Sequence, residues 1–351
     1  ANSLYSWTLT GTEDQMAVIC LRYLLMEVLE HDDDDQYSKI RDFLDYSALY
    51  WPDHKRKMNR TQDQEATGQV RQMYDMSRKR FSLWFPIFWK AIETYGAPPS
   101  MTALHLASLN GHEREVEFLL SFGGNGINSA GGTGTYPVIS ASLNGYEKVV
   151  QLLLERGAEV NAQDEQYGNA LQAASLEGHD KIVQLLLEEG ATVNTQSVEY
   201  WKTLRDASSR GHNKVVQLLL EKGAEVNTEG RHFGYALLAA CLRGHDTIVQ
   251  LLLEKGAEVN AQDEQYGNAL QAASYGGHDK VVRLLLEKGA SINAQGGQYG
   301  NALQAASSGG HNKIVQLLLE KGAEVNAPGG EYVNALQAAS LGGQAKIVEI
   351  V

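Results

Sequence analysis

YGNALQAASYGGH stands at residues 266–278, and nearly the same phrase stands at 167–179 (YGNALQAASLEGH) and at 299–311 (YGNALQAASSGGH). Reading outward, the glycine before its closing His, or before that residue's replacement, recurs at Gly111, Gly145, Gly178, Gly211, Gly244, Gly277, Gly310 and Gly343. The spacing is 34 once and 33 six times. A fixed period of this length marks one supersecondary unit stacked on copies of itself.

The stretch 158–190 shows what one unit contains. AEVNAQDEQYG (158–168) is polar and too short for a long element, which predicts a β-turn or hairpin finger. Asn169 to Glu177 predicts a short helix with Asn169 at its N-cap. Gly178-His179 makes the turn. Asp180 is placed to cap a second helix, Lys181 to Glu189, whose Ile182, Val183, Leu185, Leu186 and Leu187 form a wide apolar face. Gly190 sits where a left-handed residue ends a helix. Neither helix can bury its apolar face alone, so the array is stable only collectively and its end units need covers.

Residues 1 to 98 lack this period. Gln15 to Glu30 predicts a helix, with Glu13 and Asp14 at its start, and HDDDDQ (31–36) is a polar break. Ile40 to Trp51 predicts a second helix ended by Pro52. Lys55 to Ala66 reads as a charged loop or weakly ordered helix. Val70 to Tyr95 is aromatic-rich, and Pro86 should kink or split it. GAPPS (96–100) then breaks the pattern. The expected organisation is therefore a helical N-terminal linker or capping region, 1–98, and a repeat array, 99–351. The aromatic segment 81–95 would cap the first unit. The far end, KIVEIV (346–351), stops inside a second helix, which suggests a piece of something longer.

With 30 Lys+Arg against 43 Asp+Glu the chain carries a formal charge of −13. This balance argues against a nucleic-acid backbone binder and against an anionic membrane surface as partners. Two distant thiols, Cys20 and Cys241, make no disulfide framework, which points to a reducing, cytoplasmic compartment. No apolar run reaches the ~18–20 residues of a membrane span.

MTALHLASLNGH (101–112) resembles the ankyrin signature T-P-L-H-x-A followed by G-H, with Asn-Ala-Leu-Gln-Ala-Ala as a later variant. KIVQLLLEKGAEVNA (313–327) is similar to an ankyrin second helix and its exit loop. The resemblance covers about eight units and implies an all-α ankyrin-repeat solenoid of helix–turn–helix units with short finger loops. It also implies a protein or peptide partner held in a concave groove lined by fingers and first helices. The G-N-A-L-Q-A-A-S variant resembles arrays of fungal ankyrin proteins, including those with a NACHT nucleotide-binding module. CLRYLL (20–25) and DYSALYWPDH (45–54) resemble the segment linking that module to its ankyrins. The chain would then be the C-terminal sensor part of an NLR-like receptor. No G-x-x-x-x-G-K-[ST] phosphate loop is present, so no nucleotide is expected on this fragment.

No cofactor, metal or catalytic set is expected. Asp32 to Asp35 lie in a break between helices without a second carboxylate stretch, as a solvated loop would. His112, His179, His212, His245, His278 and His311 occur once per unit, at the same turn, which suits a hydrogen bond tying adjacent units better than metal ligation. Cys241 precedes His245 by four residues, but no orienting carboxylate is specified, and small-residue packing explains it. Tyr167, Tyr200, Tyr266, Tyr299 and Tyr332, with Phe233 in register, read as packing or as an aromatic ladder that a partner touches.

Positions that build a stack should agree from unit to unit, and positions that face a partner are free to differ. Unit 191–223 has Trp201 for Gly, Lys202 for Asn, Arg205 for Gln and Asp206 for Ala. Unit 224–256 has Arg231 and His232 at the fingertip, Tyr235 for Asn and Leu238 for Gln; an earlier unit has Tyr136 and Ile139 at the last two places. These departures predict a partner-binding patch of Tyr136, Ile139, Trp201, Lys202, Arg205, Arg231, His232, Tyr235 and Leu238, with drift in exposed positions as the competing explanation. The alternative function is an enzyme with an active site in 1–98, where Trp51, His54, Trp84 and Trp89 lie but form no recognisable constellation; a structural spacer is the third.

Overall fold

The computed structural model describes residues 20, 21, 24, 38–57, 68–74, 79–92, 101–121, 126–131, 135–194, 203–227 and 236–351. The helix expected over Gln15 to Glu30 is represented by Cys20, Leu21 and Leu24, all helical and buried. The Asp32–Asp35 run and the 96–100 break lie outside the described residues. The chain divides into two compact units, 1–170 and 171–351.

In the first unit, helix α1 (Ser38–Lys57) packs on helix α2 (Lys79–Ile92). Both prolines are inside their helices. The expectation that Pro52 ends α1 is therefore wrong, and Pro86 does not split α2. An interior proline costs roughly 3 kcal/mol. Here it is offset by burial: Trp51 and Pro52 are shut away, and Trp84, Phe85, Phe88 and Trp89 are each at most 5% exposed. Trp51 meets Trp84 edge-on at 5.5 Å. Lys55, expected in a charged loop or weakly ordered helix, belongs to α1 and is buried against Glu115 at 3.3 Å.

Helix pairs follow α2. Ala103–Leu109 with Glu113–Ser121 and Pro137–Leu143 with Glu147–Glu155 lie in the first unit. The second unit continues with Thr203–Arg210 and Asn213–Glu221, Ala236–Arg243 and Asp246–Glu254, and so on to Ala345–Ile350. The fold is the expected all-α stack of helix–turn–helix units. One finger forms a two-stranded hairpin, Gln163–Asp164 with Gly168–Asn169, and later fingers close with single bridges such as Asp263 to Gly267.

The repeated words of the sequence are repeated bonds. First helices carry Ala-Leu-Gln-Ala-Ala-Ser because small residues such as Ala272 and Ala273 (both 0% exposed) let neighbouring first helices approach closely. Asn268 opens its helix with a capping box: its side chain accepts from the Gln271 N–H at 3.0 Å, and Gln271 Oε1 accepts from the Asn268 N–H at 2.6 Å. Gln271 Nε2 then reaches the next finger and donates to the carbonyls of Gly300 (2.8 Å), Ala294 and Gly296 (both 3.2 Å). His105 does both jobs in the first repeat, pairing with Thr102 and bonding the Ser129 carbonyl at 2.8 Å. The His and Gln versions of the signature are thus two solutions to one geometric demand.

Two further ladders run along the second unit. Four turn histidines donate from Nε2 to a carbonyl in the preceding repeat: His212 to Leu176, His245 to Ser209, His278 to Leu242 (3.0 Å each) and His311 to Tyr275 (2.8 Å). This is the tie expected of the histidine series. The residue before the histidine must be glycine for two reasons. At Gly211 φ is +81°, and a Cβ would lie 2.6 Å from the His245 ring. The exit-loop asparagines form the second ladder, donating across repeats as Asn194 does to the Gly223 carbonyl (2.9 Å) and Asn260 to Gly289 (3.2 Å). The second helices are capped differently from expectation. His179, not Asp180, is the N-cap residue, and Asp180 is the first helical residue, where its charge suits the dipole. Gly190 has φ +86°, as a helix-ending glycine should.

Candidate functional site

Stacking accounts for most polar side chains, so candidate sites are found by asking what the ladders leave over. The position filled by Gln in the capping box points into the stack: Gln271 is 1% exposed and Gln304 0%. Gln172 shares this burial at 5%, whereas Gln337 in the last repeat is exposed. Ile139 is 0% exposed and Leu238 2% exposed, so neither presents its side chain to solvent. Their divergence is a packing substitution that replaces an amide by an alkyl group. Tyr136 is half-buried and holds the N-cap position of Pro137–Leu143, with no side-chain cap bond.

Arg205 occupies the same register in Thr203–Arg210, is part-buried, and cannot make a capping box, because guanidinium has no acceptor. It turns to Asp206, with Nε at 2.9 Å and Nη2 at 2.7 Å from Oδ1, the two side chains 20% and 13% exposed. Burial raises the Asp206 carboxyl above its ordinary range, opposed by the Arg205 charge. Of the remaining candidates, Trp201, Lys202, Arg231, His232 and Tyr235 lie outside the described residues.

The tyrosine series behaves as packing in the second unit. Tyr275 stacks on Tyr299 at 4.3 Å, Tyr266 lies 6.5 Å from Tyr299, and Tyr332 sits 3.3 Å from the Ser308 hydroxyl. Tyr299 is 7% exposed.

Sequence reasoning missed a second arrangement, in the first unit. The 36-residue histidine rule would place the donor for the Asn110 carbonyl at position 146, which is Tyr. Arg56 of α1 donates to that carbonyl instead, at 3.0 Å, and to the Tyr146 hydroxyl, with its guanidinium 5.2 Å over the Tyr146 ring. His112 likewise donates to the carbonyl of Pro52 in α1 at 3.1 Å and accepts from Tyr74 at 2.5 Å. Burial, with the Lys55 charge, holds His112 well below the usual imidazole range, and burial pushes Tyr74 well above the phenol range. The signal available in the sequence was the Tyr at position 146, one of two breaks in the histidine series, the other being Gln344.

Beside Arg56 lies a cleft of about 340 Å³ lined by Leu49, Phe88, Trp89, Asn144 and Tyr167 among others. Its charged groups, Arg56 and Asp53, are paired with each other. Among the described residues no group of three or more His, Cys, Asp or Glu could hold a metal ion. Cys241 is fully buried, and burial raises its thiol far out of the range in which it would ionise; Cys20 is pushed up to about 11. Both are packing residues. No described helix is long and apolar enough to cross a membrane.

A comparison with curated proteins finds no match. Among solved structures, the human ASB11 ankyrin repeat domain is similar, with a TM-score of 0.59 and 27% identity over 64% of this chain and 99% of that one. The family description "Ankyrin repeats (3 copies)" matches residues 87–164, 163–230 and 204–296, and "Ankyrin repeat" matches 301–329. With the capping boxes and the histidine and asparagine ladders accounting for the repeated words, the chain belongs to the ankyrin-repeat family.

Proposed function

We propose that this ankyrin-repeat interaction module recognises a protein or peptide segment on its finger and first-helix side, centred on units 191–223 and 224–256. The observation that carries the reading is the exchange at Lys202, Arg205 and Asp206. The helix Ala269–Gly276 is secured by the Asn268–Gln271 capping box, and an N-cap of this kind contributes roughly 1 kcal/mol. Unit 191–223 has a charged pair, Arg205 with Asp206, at that place in its first helix. Natural sequences break a local rule in this way where function demands it. Trp201, Arg231, His232 and Tyr235 fall in the adjoining finger segments and supply the residue types that anchor interfaces. Tyr136, in the first unit, is a separate candidate of the same residue type.

The finer reading places this module as the sensor portion of an NLR-like receptor in the cytoplasm, with 1–98 as its linker and cap. It is supported by the resemblance of CLRYLL and DYSALYWPDH to such linkers and by the acidic, cysteine-poor composition. The test is capture of a partner by the full chain, followed by Trp201→Ala and Arg231→Glu. Loss of capture with an unchanged melting profile supports the patch. Unfolding by Trp201→Ala, or capture that survives both changes, contradicts it.

A further inference from the structure

We propose that the outer face of the last repeat binds a partner helix pair of the array's own kind, one that carries a histidine at its turn. This surface is separate from the patch above and does not depend on it. It is formed by the helices Ala335–Leu341 and Ala345–Ile350 and the finger before them, all in the second compact unit.

Four registers make up the face that one repeat turns to the next. Leu270, Gln271, Ser274 and Val282 are at most 1% exposed, and one repeat on so are Leu303, Gln304, Ser307 and Val315. In the last repeat the same places hold Leu336 (43%), Gln337, Ser340 and Val348 (39%), all exposed. Ala338, Ala339 and Ile347 of the same two helices remain 0% exposed, so the helices are packed on one side and open on the other. Leu341 and Val333 add to the open side at 71% and 65%. Four of the five exposed large apolar side chains among the described residues therefore lie on this one repeat. Apolar side chains gathered in this way mark an interaction site. The two helices and their turn hold one cation, Lys346, and one acid, Glu349, so the negative charge of the chain does not extend over them.

The polar groups of the face say what the partner offers. Gln271 and Gln304 donate from Nε2 to carbonyls of the following finger, Gly300 at 2.8 Å and Ala327 at 3.0 Å. Gln337 accepts from the Val333 N–H at 2.6 Å, which leaves its Nε2 to donate to a finger of the partner. Successive fingers are also tied through their backbones. The Gln298 N–H donates to the Gln265 carbonyl at 2.7 Å and the Glu331 N–H to the Gln298 carbonyl at 2.8 Å, so the Glu331 carbonyl is the next acceptor. The turn glycine names the third group. At Gly277 a Cβ would lie 2.5 Å from the ring of His311, which bonds the Tyr275 carbonyl two residues before that glycine. Gly343 has the same left-handed turn, with φ +69° and nothing within 4 Å of a Cβ, and Leu341 stands two residues before it. An imidazole seated over Gly343 would donate to the Leu341 carbonyl.

A second copy of the chain does not offer this set. Its first repeat is sealed by α1, where Lys55 meets Glu115, Arg56 bonds the Asn110 carbonyl and the Pro52 carbonyl takes His112. Its own last turn has Gln344 in place of histidine. Val333 stands where the two preceding repeats have Gly267 and Gly300, but Thr135 fills that register ahead of the hairpin Gln163–Asp164 with Gly168–Asn169. A side chain there does not bar a following finger.

The experiment uses the full chain and a labelled peptide with the sequence of residues 294–326, which hold one finger, one helix pair and the turn His311. Fluorescence anisotropy should show binding, weakened about tenfold or more by Leu336→Ser/Val348→Ser in the chain, since both side chains lose apolar contact. His311→Ala in the peptide should weaken binding on the unchanged chain, which keeps the test valid if the double change disturbs the circular dichroism spectrum. Sedimentation velocity of the chain alone should show a monomer. No binding of the peptide, equal binding by the double variant, or indifference to the turn histidine would overturn the proposal. A dimer that Leu336→Ser/Val348→Ser separates would make a second copy the occupant and overturn it as well.

Discussion

Exchanging the donor to the Asn110 carbonyl gives the most discriminating prediction about how the array is built. In four junctions of the second unit a turn histidine supplies that bond, and in the first unit Arg56 supplies it because position 146 is Tyr. Arg56→Ala removes a hydrogen bond from a charged donor and leaves the carbonyl of Asn110, a residue 3% exposed, without it. A charged hydrogen bond is worth about 1.5–3 kcal/mol. The Arg56 side chain is 30% exposed, so screening trims the expected loss to about 1–2 kcal/mol. Tyr146→His should restore a donor at the register the other histidines use, so Arg56→Ala on that background should cost about 0.5 kcal/mol or less. The assay is a double-mutant cycle by urea unfolding, read by tryptophan fluorescence, since Trp51 packs on His112 beside this junction. A coupling energy near zero, with Arg56→Ala equally costly on both backgrounds, would show that the arginine does not stand in for the histidine.

Other predictions follow from the same bonds. Gln271→Ala should destabilise by about 1–3 kcal/mol, since it removes half of a capping box and several cross-repeat bonds, whereas Gln271→His should be better tolerated because His105 fills that role; thermal and urea melts compare them. His112 is held neutral by burial, with Lys55 and Arg56 adding to the effect and Tyr74 and the Pro52 carbonyl as its partners. Its folded-state pKa is below its unfolded value of about 6.5, so the unfolded chain binds the extra proton and stability falls as pH drops below that value. His112→Gln should flatten that pH dependence while lowering stability at neutral pH. Cys241 should resist thiol reagents until the array unfolds, and labelling kinetics in urea would check it.

Much of the fold was legible because stacking imposes the same chemistry at every period. The glycine–histidine turn, the apolar second helix and the Asn-x-x-Gln start can be read without coordinates. What could not be read were bonds made outside the period. Pro52 looks like a helix end, and Lys55 like the start of a charged loop or weakly ordered helix, until both are found buried within α1, Lys55 against Glu115. Arg56 looks like one surface cation among several until it is found on the Asn110 carbonyl. The site was legible only in part, because divergence between repeats has two physical causes. Ile139 and Leu238 diverge at a register that points inward, and Arg210 and Arg243 diverge at one that points outward. Sequence comparison alone weighs both alike.

The central claim is that a partner docks on the finger and first-helix side of the two central units while the second helices serve the stack. Hydrogen exchange on the full chain, with and without a captured partner, tests it most directly. New protection should concentrate in 195–210 and 228–243. Protection confined to the second helices 213–221 and 246–254, or to α1 and α2, would contradict the account.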